Sequence, residues 1–90
     1  MVRAVDVRVT GQVQGVAFRA YAVREARRLS LSGWVRNADD GAVLSHVEGA
    51  DEAVGEMVVW LESGPPDADV AAIEVSDATV SGATSFEVVR

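Results

Sequence analysis

The chain has 90 residues, 49% of them hydrophobic and 24% charged, which suits one domain over residues 1–90 with a single modest core. It contains no cysteine, which excludes disulfide bonds, thiolate metal sites and a cysteine nucleophile. His46 is the single histidine, so a Ser-His-Asp triad or a zinc site would have no spare imidazole. The net charge of −6 argues against non-specific binding of nucleic acid. The N-terminus alternates charged and apolar residues, without the apolar run of a signal peptide or membrane span, so we expect a cytoplasmic protein with no membrane partner.

The charge is unevenly distributed along the chain. Residues 1–36 hold seven of the eight arginines and two acids, so this third carries +5, whereas residues 37–90 carry −11. An anion is therefore expected to bind in the first third. The alternative is that the first helix is arginine-rich without binding anything.

Hydrophobic periodicity divides the first half of the chain into three strands and a helix. Val5, Val7 and Val9 alternate with polar residues and predict a half-buried strand, and apolar residues at helical spacing predict a helix over 19–29. Segments 32–37 and 42–48 predict a hairpin, because the Asn-Ala-Asp-Asp-Gly sequence between them has turn chemistry.

The second half predicts one more helix and two more strands. Asp51 and Glu52 suit the first turn of a helix with apolar residues at i, i+3, i+4 and i+7, and Gly64-Pro65-Pro66 ends it. Residues 70–80 contain a fourth strand and 86–90 a short terminal edge strand. The order predicts an α+β sandwich, in which one antiparallel sheet carries both helices on one face.

The segment between the first strand and the first helix has the features of an anion site. It reads Gly-Gln-Val-Gln-Gly-Val-Ala-Phe-Arg over residues 11–19. A helix N-terminus offers free N–H groups, Gly15 lets successive N–H groups converge, and Arg19 adds a planar cation. The segment is neither a nucleotide P-loop nor a dinucleotide fingerprint, because neither spacing is present. The alternative is a plain strand-to-helix turn.

Several motifs together resemble the acylphosphatase family over essentially the whole chain. They are Gly11-x-Val13-Gln14-Gly15-Val16-x-Phe18-Arg19, Leu29-x-Leu31-x-Gly33-Trp34-Val35-Arg36-Asn37, Asp40-Gly41-x-Val43, Glu48-Gly49, Trp60-Leu61, Gly64-Pro65-Pro66 and Phe86. The resemblance implies a ferredoxin-like βαββαβ sandwich and a hydrolase that cleaves acyl phosphates without a metal or other cofactor.

The resemblance also implies which residues do the chemistry. It assigns a phosphate cradle to Gln14, Gly15, Val16, Ala17, Phe18 and Arg19. Arg19 then binds the phosphoryl group and Asn37 orients the attacking water. The implied ligands are a small acyl phosphate and phosphate, and a chain of this size is expected to be a monomer.

Other readings of the same residues stay open. Asn37 also suits a plain turn, and adjacent acids at 39 and 40 suit a solvated turn better than a metal site. His46 is expected at the surface because it shares its strand face with Leu44 and Glu48. The larger aromatic residues are expected in the core and not as stacking platforms for bases; they are Phe18, Trp34, Trp60 and Phe86.

Three positions depart from the family pattern. Ser30 stands where a glycine usually ends the first helix, so a left-handed cap there would cost about 1 kcal/mol. Ala38 follows Asn37 where a hydroxyl residue is common, and Ala17 stands where microbial members often have glycine, which would crowd the cradle.

Two other functions compete with catalysis. One is a non-catalytic phosphate-binding module of the same fold, which turnover of a small acyl phosphate would exclude. The other is a ferredoxin-like RNA-binding domain, which would need exposed aromatic residues and a basic sheet face.

Overall fold

A computed structural model describes all residues from 1 to 90 and contains five strands and two helices. The elements in chain order are β1 (Val2–Gln12), α1 (Phe18–Arg28), β2 (Ser32–Asn37), β3 (Val43–Ala50), α2 (Asp51–Ser63), β4 (Asp69–Asp77) and β5 (Phe86–Val88). The predicted order of elements is confirmed. Neither helix is long and apolar enough to span a membrane.

The five strands form one sheet in the order β4-β1-β3-β2-β5. The β1–β3, β1–β4 and β2–β3 pairs are antiparallel, but β5 lies parallel to β2. The prediction of a wholly antiparallel sheet was therefore wrong at this edge. The chain reverses between β4 and β5, and β2 also runs opposite to β4, so β5 and β2 point the same way.

The core lies between one face of the sheet and the two helices. Val5, Val7 and Val9 of β1 are 0–2% exposed, as their alternation predicted. The helices contribute one apolar face each, with Phe18, Ala22 and Ala26 from α1 and Val54, Met57 and Leu61 from α2. This packing confirms the ferredoxin-like sandwich.

The first helix ends in the left-handed conformation predicted for Ser30, whose φ is 58°. The N–H of Ser30 donates to the carbonyl of Arg27 at 3.1 Å, and the N–H of Leu31 donates to that of Ala26 at 2.8 Å. These two bonds are the Schellman arrangement, which usually has glycine at the left-handed position. Serine therefore carries backbone strain here.

The aromatic residues divide between the core and the face of the sheet that the helices leave open. Phe18 and Phe86 are buried in the core, and Trp60 is half-buried against it, with its ring 5.5 Å from that of Phe18. Trp34 lies on the open face instead and stacks on His46, with ring centroids 6.2 Å apart. The prediction of a core position for Trp34 was wrong.

The prediction of a surface position for His46 was also wrong, because its side chain is only 9% exposed. The connection between β4 and β5 covers this end of the open face. Its Ala78 N–H donates to the carbonyl of Ala4, and the N–H groups of Ser81 and Gly82 donate to Glu48. The strand pattern could not reveal this cover, because residues 78–85 have no hydrophobic period of their own.

Candidate active site

A cleft of about 300 Å³ opens where α1 begins and β2 ends. It brings together Arg19, Asn37 and most of the predicted cradle. The complete lining is Val13, Gln14, Gly15, Ala17, Phe18, Arg19, Ala20, Asn37 and Val88. Val16 is the one predicted residue outside this lining, because its side chain packs against the core.

In the segment between β1 and α1, residues with positive φ alternate with a residue of negative φ. Gly15 has φ 76° and Ala17 has φ 60°, both left-handed, with Val16 between them. Alternation of this kind is the backbone pattern of an anion-binding nest, in which successive N–H groups converge. Alanine at position 17 adopts this conformation at a cost of about 1 kcal/mol that glycine would avoid.

The N-terminus of α1 adds further free donors to the same loop. Ala17 is the N-cap residue and makes no side-chain cap, and the first turn contains no acid. The first N–H groups of a helix have no partner within it, so they remain available to a ligand. The positive end of the helix dipole also points at this place.

Arg19 is the cation of the cleft. Arg19 is a half-buried residue in the first turn of α1, and its guanidinium has no carboxylate within 4 Å, unlike the arginines of the surface ion pairs. A guanidinium offers several planar donors that match the oxygens of a phosphoryl group. The charge of Arg19 is therefore available to an anion in the cleft.

Asn37 lies at the end of β2 and faces the same cleft. It follows Val35 by two residues, so both side chains point to the helix side of the sheet. The Asn37 amide makes no hydrogen bond within the protein. It can thus donate to or accept from a water without titrating.

The Gln14 side chain binds the turn between β2 and β3. Its Nε2 donates to the carbonyl of Ala38 at 2.8 Å and to that of Ala42 at 2.9 Å. The side chain therefore ties the loop to the β2–β3 turn, and only the backbone of Gln14 is left to face an anion. No local pattern predicts this contact, because its partners lie 24 and 28 residues away along the chain.

Three lining residues were missing from the predicted cradle of residues 14–19. Val13 and Ala20 directly flank that cradle, so a slightly longer segment would have included them. Val88 comes from β5, and its place depends on the pairing of Val88 with Val35. No local signal predicts that long-range pairing.

The donors of the cleft do not suit a metal ion. None of the lining residues is a His, Cys, Asp or Glu. No group of three such residues elsewhere in the protein is arranged to hold a metal either. The arrangement can instead hold a tetrahedral oxyanion and present a neutral amide to water.

A larger cavity of about 380 Å³ lies on the open face of the sheet. Its lining includes Asp6, Glu74 and Arg8, and Arg8 is already paired with Asp40. Two carboxylates and no free cation make this cavity a poor site for an anion.

Comparison with known proteins agrees with the geometry. The family model described as acylphosphatase matches residues 5–88. An acylphosphatase from Nocardioides sp. is 55% identical over 85 residues, which cover 94% of this chain and 86% of the relative. The crystal structure of acylphosphatase from Bacillus subtilis has a TM-score of 0.95 at 35% identity and covers 100% of both chains.

A similar fold also occurs inside a much larger protein. The crystal structure of T. kodakarensis HypF matches with a TM-score of 0.85 at 30% identity, covering 98% of this chain but only 12% of that one.

Proposed function

This chain belongs to the acylphosphatase family of hydrolases, and on that premise we propose that it cleaves acyl phosphates in the cleft between α1 and β2 without a metal ion. The products are a carboxylate and inorganic phosphate. The observation that carries this proposal is the meeting of three elements in one cleft: the left-handed loop, the unpaired Arg19 and the free amide of Asn37.

The phosphoryl group is held by the loop and by Arg19. Backbone N–H groups from residues 14–19 bind its oxygens, and the guanidinium neutralises the charge that they carry. Positioning and electrostatic stabilisation supply most of the catalysis in phosphoryl transfer. In this site Arg19 and the helix N-terminus take the part that a metal plays in other phosphoryl-transfer enzymes.

Asn37 holds the attacking water in line with the bond that breaks. The water oxygen bonds to phosphorus while the bond between phosphorus and the acyl oxygen breaks, and the electron pair leaves with the carboxylate. Because a carboxylic acid has a pKa of about 4, this leaving group needs no general acid. The proton of the water passes to the released phosphate or to solvent.

Phosphate inhibition tests the role of Arg19. We expect Arg19→Ala to abolish both turnover and competitive inhibition by phosphate, because both need the guanidinium. Arg24→Ala, five residues further along the same helix and outside the cleft, is the matched control and should keep both. Phosphate affinity retained in Arg19→Ala would contradict the proposed cradle.

The HypF likeness favours one alternative, a phosphate-binding module that acts as part of a larger assembly. Turnover separates the two functions. A folded wild-type protein that binds phosphate but does not hydrolyse a small acyl phosphate would be such a module.

Three further properties of the protein are its location, its oligomeric state and its behaviour towards RNA. We expect a cytoplasmic monomer, which analytical ultracentrifugation would test for its oligomeric state. We also expect no RNA binding, although Trp34 lies on the open face, because Asp6 and Glu74 on that face would repel a phosphate backbone. A filter-binding assay at low salt would test this.

A further inference from the structure

We propose that Arg8 and Asp40 are positioning residues for catalysis, which together hold the turn that carries Asn37 in its working place. The proposal rests on the proposed function, since it needs Asn37 to orient the water. Arg8 lies on β1 and Asp40 lies in the turn between β2 and β3. The two residues are hereafter called the brace.

One carboxylate makes both contacts of the brace. Asp40 Oδ2 accepts a hydrogen bond from Arg8 Nη2 at 2.5 Å, and Asp40 Oδ1 accepts the N–H of Ala42 at 3.1 Å. The hydrogen bond from Arg8 also lowers the pKa of the Asp40 carboxyl below its usual value, so the carboxylate stays ionised. Asp40 therefore links the central strand β1 directly to the backbone of the turn.

The turn is held from its other side by Gln14. Gln14 Nε2 donates to the carbonyls of Ala38 and Ala42, and the N–H of Ala38 donates to the carbonyl of Ala42 at 2.8 Å. Ala38 has no hydroxyl that could add a further contact. The position of the turn thus depends on two side chains, Gln14 from the cradle and Asp40 from the brace.

Asn37 directly precedes this turn, so a displaced turn moves its side chain. An error of about 1 Å in the placement of a reacting group can lower a rate by as much as about a hundredfold. The pair itself is half-exposed, with side chains 37% and 54% accessible, and exposed ion pairs stabilise a fold little. A purely structural role would therefore leave kcat nearly unchanged.

The test removes the ion pair without changing the net charge. The double variant Arg8→Met/Asp40→Asn keeps a side-chain oxygen that can accept the Ala42 N–H. We expect kcat on saturating benzoyl phosphate to fall about threefold to tenfold, while the inhibition constant of phosphate stays within about twofold, because the cradle is untouched. The control is Glu25→Gln/Arg28→Met, which removes an ion pair on α1 that lies outside the cleft and should change neither value.

The same double variant in an Asn37→Ala background shows whether the brace acts through Asn37. With that amide gone, we expect the brace variant to change kcat by less than about twofold. An equal loss of kcat in both backgrounds would overturn the proposal, as would an unchanged kcat in the wild-type background. A parallel loss of kcat, phosphate affinity and melting temperature would also overturn it, because that pattern indicates general unfolding.

The kcat values of Asn37→Ala and of the brace variant separate an error in the proposed function from an error in the brace. If Asn37→Ala alone keeps the wild-type kcat, the proposed role of Asn37 in orienting the attacking water is wrong. If Asn37→Ala is impaired and the brace variant is not, only the brace is wrong.

Discussion

Replacing Glu48 with glutamine should destabilise the fold by about 3 kcal/mol at pH 5.5, although Glu48 lies far from the cleft. Its carboxylate is 4% exposed and accepts hydrogen bonds from His46, from the Ser81 hydroxyl and from the N–H groups of Ser81 and Gly82. Burial by itself would raise the pKa of Glu48, but these donors outweigh it and lower the pKa from 4.5 to about 2. The carboxylate thus fastens the β4–β5 connection to the sheet.

The magnitude follows from the two pKa values. At about 1.4 kcal/mol per unit of pKa, a folded pKa of about 2 against an unfolded value of 4.5 corresponds to about 3 kcal/mol. Breaking a buried ion pair by removing one partner costs about 3–5 kcal/mol, which agrees. Because the folded pKa is the lower one, this stability is fully present above pH 4.5 and is lost as the pH falls towards 2.

Urea denaturation of the wild type and Glu48→Gln from pH 2 to pH 6 measures this contribution. We expect the free energies of unfolding to differ by about 3 kcal/mol at pH 5.5 and to converge near pH 2, where the wild-type carboxyl becomes protonated. Glu56→Gln, an exposed acid on α2, is the control and should track the wild type. A difference that stays constant over this pH range would show that the ionised Glu48 carboxylate is not the source of this stability.

Three further substitutions test other parts of the structure. Both ring nitrogens of His46 face carboxylates, at 2.7 and 2.5 Å, and although burial lowers its pKa, these two bonds outweigh it and raise the pKa above 6.5. The wild type should therefore lose stability as the pH rises above 6.5 through that pKa, and His46→Gln should lack this loss in urea titrations. Ser30→Gly should stabilise the fold by about 1 kcal/mol, because φ there is 58°, and an unchanged urea midpoint would contradict the strain. Ala17→Gly should give a similar gain while keeping phosphate affinity, and a loss of phosphate affinity would show that the alanine methyl contributes to binding.

The parts of the fold that local patterns encode could be predicted from the sequence. The alternation of Val5, Val7 and Val9 gave the first strand its buried face, and the turn sequence before Gly41 placed the hairpin. The left-handed cap at Ser30 was expected from the family pattern, in which a glycine usually stands at this position. Each of these features depends on residues that are close together in the chain.

Features that depend on distant contacts could not be predicted. His46 is buried by a connection more than 30 residues further along the chain, and Val88 reaches the cleft through a parallel pairing with Val35. The side chain of Gln14 binds carbonyls of the hairpin turn, which are likewise distant in the chain, at separations of 24 and 28 residues. In the cleft, Arg19 was predicted from the anion loop itself, whereas Asn37 was named only through the family motifs, and both residues line the same cleft.

Hydrolysis of benzoyl phosphate in excess chelator, measured for the wild type and Asn37→Ala side by side, tests most directly whether this protein is a metal-free acylphosphatase that uses Asn37. We expect chelator-resistant turnover in the wild type. In Asn37→Ala we expect kcat to be about a hundredfold to a thousandfold lower, with phosphate inhibition largely kept. Turnover that the chelator abolishes would contradict the metal-free mechanism, and a near-normal kcat in Asn37→Ala would contradict the role of its amide in holding the attacking water.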